Sequence, residues 1–300
     1  MPVDFFKSRC LVENDEILRN QNLDFYSELN ESTGENSDVK VAKLDHIEIT
    51  YFPPNSRRNK PLIKVQGSLH KYYNKTLSEE YKDKYLTKGF NGNDFTFLQV
   101  KKSIEHLCTK LNIKSHQMKL ANLELGVNYS PPVDTIQILD GLILHQGKEF
   151  SKPQSYQYRQ VEHSKFYIKI YDKARQYNLH NQLCRYELKF IKMAFLNSIG
   201  INTLEDLTKK VVYRHFKSTY LDTWSKTLFY DYTIDKSNLK RNQVIKLKDY
   251  SNPIFWLRLD SKHRDRPKKI LKNITYNHSN NIQSRILELI DLKFDKLLSV

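Results

Sequence analysis

FYIKIYDK (166–173) and, a short loop later, CRYELKF (184–190) are the stretches from which the fold of this chain is read. Successive strand side chains point to opposite faces, so each stretch divides into a side it buries and a side it offers. In the first, Phe166, Ile168 and Ile170 oppose Tyr167, Lys169, Tyr171 and Lys173. In the second, Tyr186, Leu188 and Phe190 oppose Arg185, Glu187 and Lys189. Three upstream stretches divide the same way. LDHIEITY (44–51) sets Ile47, Ile49 and Tyr51 against His46, Glu48 and Thr50. LIKVQGSLH (62–70) sets Ile63, Val65 and Leu69 against Lys64, Gln66, Ser68 and His70. LANLELGVNY (120–129) sets Ala121, Leu123, Leu125 and Val127 against Asn122, Glu124 and Asn128, and Pro131 and Pro132 stop that strand. If these strands share a sheet, one face is core and the other collects His, Glu, Tyr, Lys and Arg. The fold class expected is α+β: an antiparallel sheet with packed helices, followed by a mostly helical basic C-terminal region.

The helices are read from a different period. FLQVKKSIEHLCTKLN (97–112) puts Phe97, Val100, Ile104, Leu107, Cys108 and Leu111 on one helical face. After residue 190 the spacing turns helical, with Thr203 as an N-cap ahead of LEDL. The tail (281–298) sets Ile282, Ile286, Leu289, Ile290, Phe294 and Leu297 at helical intervals. FYSELNESTGENSDVK (25–40) is polar and aperiodic and reads as a surface loop. The expected division is an N-terminal segment with its acidic loop (1–40), an α+β domain (41–200) and a helical basic region (201–300).

The 49 Lys+Arg exceed the 34 Asp+Glu by 15, and the excess is not spread evenly. The first 150 residues hold 20 basic and 20 acidic side chains, the second 150 hold 29 and 14. Residues 236–272 hold twelve Lys/Arg against Asp249, Asp260 and Asp265, densest at Lys262, Arg264, Arg266, Lys268, Lys269 and Lys272. A localised cationic excess among Phe255, Trp256 and Tyr276 is the footprint of a nucleic-acid binder, with lysines on phosphates and aromatics on bases. With 39% hydrophobic residues the chain can build a core, which excludes wholesale disorder. No apolar run approaches the ~18 residues of a membrane span and MPVDFFKSRCLVENDE lacks a secretion-signal core, so a soluble intracellular protein is expected. Cys10, Cys108 and Cys184 are odd in number and far apart, which excludes a disulfide framework and a CxxC zinc site.

The polar inventory of the five strands suits metal-assisted phosphoryl transfer with a tyrosine nucleophile. Carboxylates and an imidazole suit a hard divalent ion that polarises a phosphodiester. A phenol of pKa ~10 needs activation, and Lys173, two residues from Tyr171, is placed to give it. Tyr167 on the same strand and Tyr177 just beyond it are alternative nucleophiles; Tyr72, Tyr73 and Tyr129 read as packing residues. The other reading of each strand is an ordinary wet face.

In order along the chain, GSLHKYYN (67–74), NGNDF (91–95), NLELGVNY (122–129), KIYDKARQY (169–177), RYELKF (185–190) and INTLEDL (201–207) resemble the motifs of the gene II/X type replication initiators of filamentous phages. They are also similar to those of the trans-acting rolling-circle initiators of small plasmids, within the wider group of Rep/HUH-type endonucleases. The resemblance implies a site-specific nickase dependent on Mg²⁺ or Mn²⁺, with His70, Glu124 and Glu187 as metal ligands, Tyr171 as nucleophile and Lys173 as its supporting cation. It implies a 5′-phosphotyrosine intermediate, later strand rejoining, and a 3′-hydroxyl that primes synthesis. Origin DNA, a host helicase and a host DNA polymerase are the implied partners, in the cytoplasm of a bacterial host, with no membrane and no small-molecule substrate. No phosphate loop of the GxxxxGK[ST] type is present, so the helicase motor would be borrowed. The chain departs from the pattern in lacking any His-x-His pair, and in carrying Glu124 and Asn122 where Asp and Arg are commoner. A non-enzymatic DNA-binding replication or copy-control protein, and a relaxase or transposase, are the rival readings.

Overall fold

Alternation of apolar and polar side chains from Val3 onward produces the first of twelve strands found among the described residues, which in this computed structural model are 3–29, 32–83, 88–152 and 158–299. The strands are β1 (Val3–Leu11), β2 (Tyr26–Leu29), β3 (Asn36–Leu44), β4 (Ile47–Phe52), β5 (Leu62–Ser68), β6 (Lys119–Tyr129), β7 (Leu142–His145), β8 (Lys148–Glu149), β9 (Tyr158–Glu162), β10 (Phe166–Asp172), β11 (Cys184–Phe190) and β12 (Thr227–Phe229). The helices are α1 (Leu69–Thr76), α2 (Phe97–Leu111), α3 (Thr135–Gly141), α4 (Lys173–Gln176), α5 (Ala194–Ser198), α6 (Lys210–Ser225), α7 (Arg241–Tyr250), α8 (Pro253–Arg258), α9 (Asp265–His278) and α10 (Ile282–Ser299). The class is α+β, and the chain beyond β11 is helical apart from β12. No helix among the described residues is long and apolar enough to cross a membrane.

The chain forms two interleaved units, one of residues 1–126, 189–215 and 296–300, the other of 127–188 and 216–295. Neither residue 40 nor residue 200, the boundaries expected from composition, is a point at which the chain passes between units. In the first unit β2, β3, β4, β5, β1 and β6 lie side by side, each paired antiparallel to the next. The N-terminal strand β1 is therefore central, paired with β5 on one side and β6 on the other, and its Phe6 and Cys10 are buried. The expected loop at 25–40 is instead largely β2 and β3, with Asn30 and Glu31 outside the described residues. These strands are held by their ladder, Lys40 against Tyr51 and Ala42 against Ile49, and a polar edge hides that from an apolar pattern.

Strand β5 ends at Ser68, two residues before His70, which corrects the reading of LIKVQGSLH as one strand. Gly67 has φ +157°, and a Cβ there would stand 2.1 Å from the His46 carbonyl oxygen, so only glycine permits this approach of β5 to the start of β4. Ser68 then accepts from the Lys71 N–H and caps α1, so Leu69 and Tyr72 point into the core at helical spacing. Helix α2 follows a capping box of Thr96 and Gln99 and buries Phe97, Val100, Ile104, Leu107 and Leu111 as expected; Cys108 is half-buried.

In the second unit β11, β10 and β9 lie side by side, β10 antiparallel to β9, with β12, β7 and β8 as a smaller sheet. Its helical part has a core of Ile143, Leu144, Tyr230, Leu247, Tyr250, Trp256, Leu271 and Ile274. Helix α10 buries Ile282, Ile286, Ile290 and Phe294 at the expected spacing. Its start is fixed by the buried Asp231 carboxylate, which accepts from the Ile282 N–H (2.8 Å) and the Ser279 hydroxyl (3.0 Å). The turn at INTLEDL is capped by Asp206, not Thr203: the Asp206 carboxylate accepts from the backbone N–H groups of Asn202 and Thr203 and from the Thr203 hydroxyl.

Candidate active site

Strand alternation puts Lys169 and Tyr171 on one face of β10 and Arg185 and Glu187 on one face of β11, and these groups meet in the second unit. The Tyr171 hydroxyl donates to Glu187 Oε1 at 2.8 Å. Glu187 Oε1 also accepts from Arg185 Nε at 2.7 Å, and Arg185 Nη1 donates to Asn128 Oδ1 at 2.9 Å. Arg185 and Glu187 are both buried, so the guanidinium compensates a carboxylate that would otherwise be desolvated alone. Lys173 reaches the same hydroxyl by a different route from that expected. Asp172 caps α4 by accepting from the Arg175 N–H (2.9 Å), and Lys173 is the first residue of that helix. The turn, not strand alternation, brings Lys173 Nζ to 3.4 Å from the Tyr171 oxygen, and the side chain is buried. Its ammonium lies 5.3 Å from the Tyr171 ring centre and 4.9 Å from that of Tyr177.

A cavity of about 430 Å³ opens at this cluster, lined by Tyr158, Lys169, Tyr171, Asp172, Arg175 and Glu187 among others. Tyr158 and Arg175 were not singled out by sequence; Tyr158 lies on β9, a strand too short to announce itself, and its ring meets that of Tyr171 edge-on at 6.2 Å. The cavity separates the tyrosines. Tyr171 and Tyr158 are half-buried at its wall, whereas Tyr177 is buried behind Lys173. Burial pushes the phenols of Tyr72, Tyr129, Tyr186 and Tyr220 above their ordinary pKa, which suits packing and opposes a phenolate.

The residues named for a metal have other partners. His70 Nε2 bonds Asn93 Oδ1 at 2.8 Å, and its ring stacks on Phe95 with centres 4.6 Å apart. Asn93 also takes the Asn74 amide, and Asn91 donates to both oxygens of Asp4, which accepts from Ser68. The motifs GSLHKYYN and NGNDF are thus joined by two sets of hydrogen bonds in the first unit, His70 and Asn74 to Asn93, and Ser68 and Asn91 through Asp4. In the same unit Glu124 meets Lys189 at 2.5 Å. Among the described residues no group of three or more His, Cys, Asp or Glu is arranged to hold a metal ion. His70 and Glu124 belong to the first unit and Glu187 to the second, each engaged by a protein partner.

Of the basic residues expected on DNA, Lys262 and Arg264 lie in the turn before α9, and Arg266, Lys268 and Lys269 lie at its start. Lys262, Arg266, Lys268 and Lys269 are exposed; Arg264 is half-buried, its guanidinium donating to the Leu259 carbonyl at 3.0 Å. Of the three expected stacking residues, Trp256 is 0% exposed with its indole N–H on the Tyr250 carbonyl, and Phe255 packs against the same core. Tyr276, 75% exposed, remains available to a base.

No family model and no curated protein matches the chain. Among solved structures, it is similar to a rolling circle replication initiator protein from Geobacillus stearothermophilus, at 10% identity over 90% of this chain and 96% of that one, with a TM-score of 0.39. A likeness of that degree assigns no residue.

Proposed function

We propose that the chain is a site-specific DNA nickase and strand transferase that initiates rolling-circle replication of a phage or plasmid. One observation carries the reading: the Tyr171 hydroxyl stands between Glu187 Oε1 (2.8 Å) and Lys173 Nζ (3.4 Å) at the wall of a cavity also lined by Lys169 and Arg175. The motif resemblance supports it. The phenol oxygen attacks the scissile phosphorus, its proton passing to the Glu187 carboxylate. The new bond joins Tyr171 oxygen to phosphorus, and the bond to the 3′ oxygen breaks, that oxygen leaving as a hydroxyl after taking up a proton. Lys173 offsets negative charge on the phenol oxygen and the phosphoryl oxygens. Arg185 holds Glu187 in place, and Lys169 and Arg175 receive the flanking phosphates. Reversal by an incoming 3′-hydroxyl rejoins the strand. A Mg²⁺ or Mn²⁺ ion, where used, would polarise the phosphate. Origin DNA, a host helicase and a host polymerase, met in the bacterial cytoplasm, complete the proposal.

The test is incubation of the purified chain with end-labelled single-stranded and supercoiled DNA carrying its own gene neighbourhood, with Mn²⁺ or EDTA. The expected result is a nick with protein on the 5′ end, absent in Tyr171→Phe. An adduct that persists in Tyr171→Phe and disappears in Tyr158→Phe would move the nucleophile to the other cavity-wall tyrosine. Retention of origin DNA with no adduct under any condition would refute the enzyme reading in favour of a DNA-binding replication protein.

A further inference from the structure

The second unit holds a larger cavity that the nicking chemistry does not use. It measures about 600 Å³ and lies where the end of α6, the strand β12, α9 and the start of α10 come together. Its α9 wall is one helical stripe, Lys268, Leu271, Lys272, Thr275 and Tyr276, at the i, i+3, i+4, i+7, i+8 spacing of a single face. Lys226 joins Lys268 and Lys272 in the lining, and none of its sixteen residues is Asp or Glu. Trp224, Leu228, Phe229 and Leu287 supply apolar surface. The scaffold is fixed before any ligand arrives. Trp224 Nε1 donates to the Gln283 carbonyl at 2.9 Å, and Gln283 Nε2 returns to the Thr227 carbonyl at 2.8 Å.

Three lysines, of which Lys226 is paired with Asp222 (2.5 Å) and Lys268 stands 3.8 Å from Asp265, line the cavity with apolar walls and the exposed ring of Tyr276, and together they describe a receptor for an anion with a flat apolar body. We infer that this cavity binds single-stranded DNA, taking one unstacked base against Tyr276 and the apolar wall while Lys268 and Lys272 hold the adjoining phosphates. The inference rests on the nickase reading for its choice of a strand over a free nucleotide. A base enters only when unpaired, so the cavity would favour the melted over the duplex form of a site.

The experiment uses the full chain carrying Tyr171→Phe, in EDTA, so that binding is read without cleavage. Fluorescence anisotropy of a labelled short oligothymidylate is followed across a salt series. The expected result for Lys268→Glu/Lys272→Glu is an affinity loss of at least about 10-fold and a log–log salt slope shallower by about 1.4, from roughly 0.7 per single-strand phosphate contact. Tyr276→Ala, at an exposed position that leaves the core intact, is expected to lose roughly 5- to 100-fold with the slope unchanged. Lys102→Glu, exposed on α2 in the other unit, should bind as the parent does. Equal binding by all variants would overturn the inference. So would displacement by thymidine monophosphate at the same nucleotide concentration, which would make the occupant a free nucleotide. Absence of nicking by the chain with Tyr171 intact, in Mn²⁺, alongside cavity-dependent binding would sink the nickase reading and leave the cavity's strand binding standing.

Discussion

Replacing Arg185 by Met should be among the most damaging single changes in the second unit. Arg185 is 1% exposed, and its Nε lies 2.7 Å from Glu187 Oε1, itself on a buried side chain. Met keeps most of the volume but removes the cation beside the buried Glu187 carboxylate, leaving the Tyr171 hydroxyl donating to it. Removing one partner of a buried pair costs about 3–5 kcal/mol, whereas replacing both by apolar groups of similar volume is near neutral or stabilising. Arg185→Met is therefore expected to lower stability by about 4 kcal/mol, and Arg185→Met/Glu187→Leu to recover most of it. Both tryptophans, Trp224 and Trp256, lie in the same unit as the pair, so tryptophan fluorescence during urea unfolding reports the relevant transition. With a slope near 2 kcal/mol/M, the single substitution moves the midpoint by about 2 M. A single-variant loss below about 1 kcal/mol, or a double variant as unstable as the single, would refute the argument that this guanidinium exists to compensate this carboxylate.

Acid should weaken the second unit through His145, whose Nδ1 is 2.8 Å from His163 Nε2 and whose Nε2 faces the Thr223 carbonyl, with Lys226 and Asp222 near by. Burial first, and then the His163 neighbour, push its pKa down to about 4 from 6.5, so the unfolded chain binds the proton more readily between those values. Stability is full above pH 6.5 and falls by about 3 kcal/mol as pH drops to 4; a melting-temperature profile that keeps this acid slope in His145→Gln would contradict the assignment. Gly67→Ala forces a Cβ to 2.1 Å from a backbone oxygen and should cost about 3 kcal/mol or more in thermal unfolding, while Gly34→Ala, with nothing within 4 Å, is limited to its backbone strain at φ +70°. Burial raises the thiols of Cys108 to about 11 and Cys184 to about 12, and raises Cys10, so iodoacetamide at neutral pH should leave all three intact in the native chain and alkylate them in urea. Rapid native labelling of any one would show its site to be open.

The elements that sequence reveals are those whose period persists to their ends. Ile282, Ile286, Ile290 and Phe294 repeat over about three turns and α10 follows; Phe166, Ile168 and Ile170 alternate and β10 follows. Errors cluster where one period hands over to another. Through Ser68 the pattern of β5 has period two, and Leu69 with Tyr72 already belongs to a helix, but His70 also fits the strand by alternation, so alternation assigns it to a strand face although it lies in α1. Lys173 fits the strand too, and the helix that carries it is set by Asp172, a cap whose effect needs the N–H of Arg175 to be seen. At 25–40 the failure is of another kind: β2 and β3 are specified by partners along the ladder, a long-range property that local hydropathy does not encode.

Residue type alone did not separate a site from a wet sheet face, because much of the polar inventory is neither. Glu124 is matched to Lys189, Gln66 to Glu48, and Asp4 to Ser68 and Asn91. Such pairs let a polar face be covered without stranding charge, and His70 on Asn93 and Glu124 on Lys189 are engaged in the same way. What distinguishes Tyr171 is that its oxygen has a carboxylate and an ammonium within reach and a cavity in front of it. A covered pair can stabilise; only a group that is both poised and approachable can react. That criterion selects Tyr171, with Tyr158 beside it, from the nineteen tyrosines of the chain and sets aside those whose burial raises the phenol pKa. It also selects the lysine-lined cavity beneath Tyr276 over the more conspicuous Trp256, whose indole is already spent on the Tyr250 carbonyl.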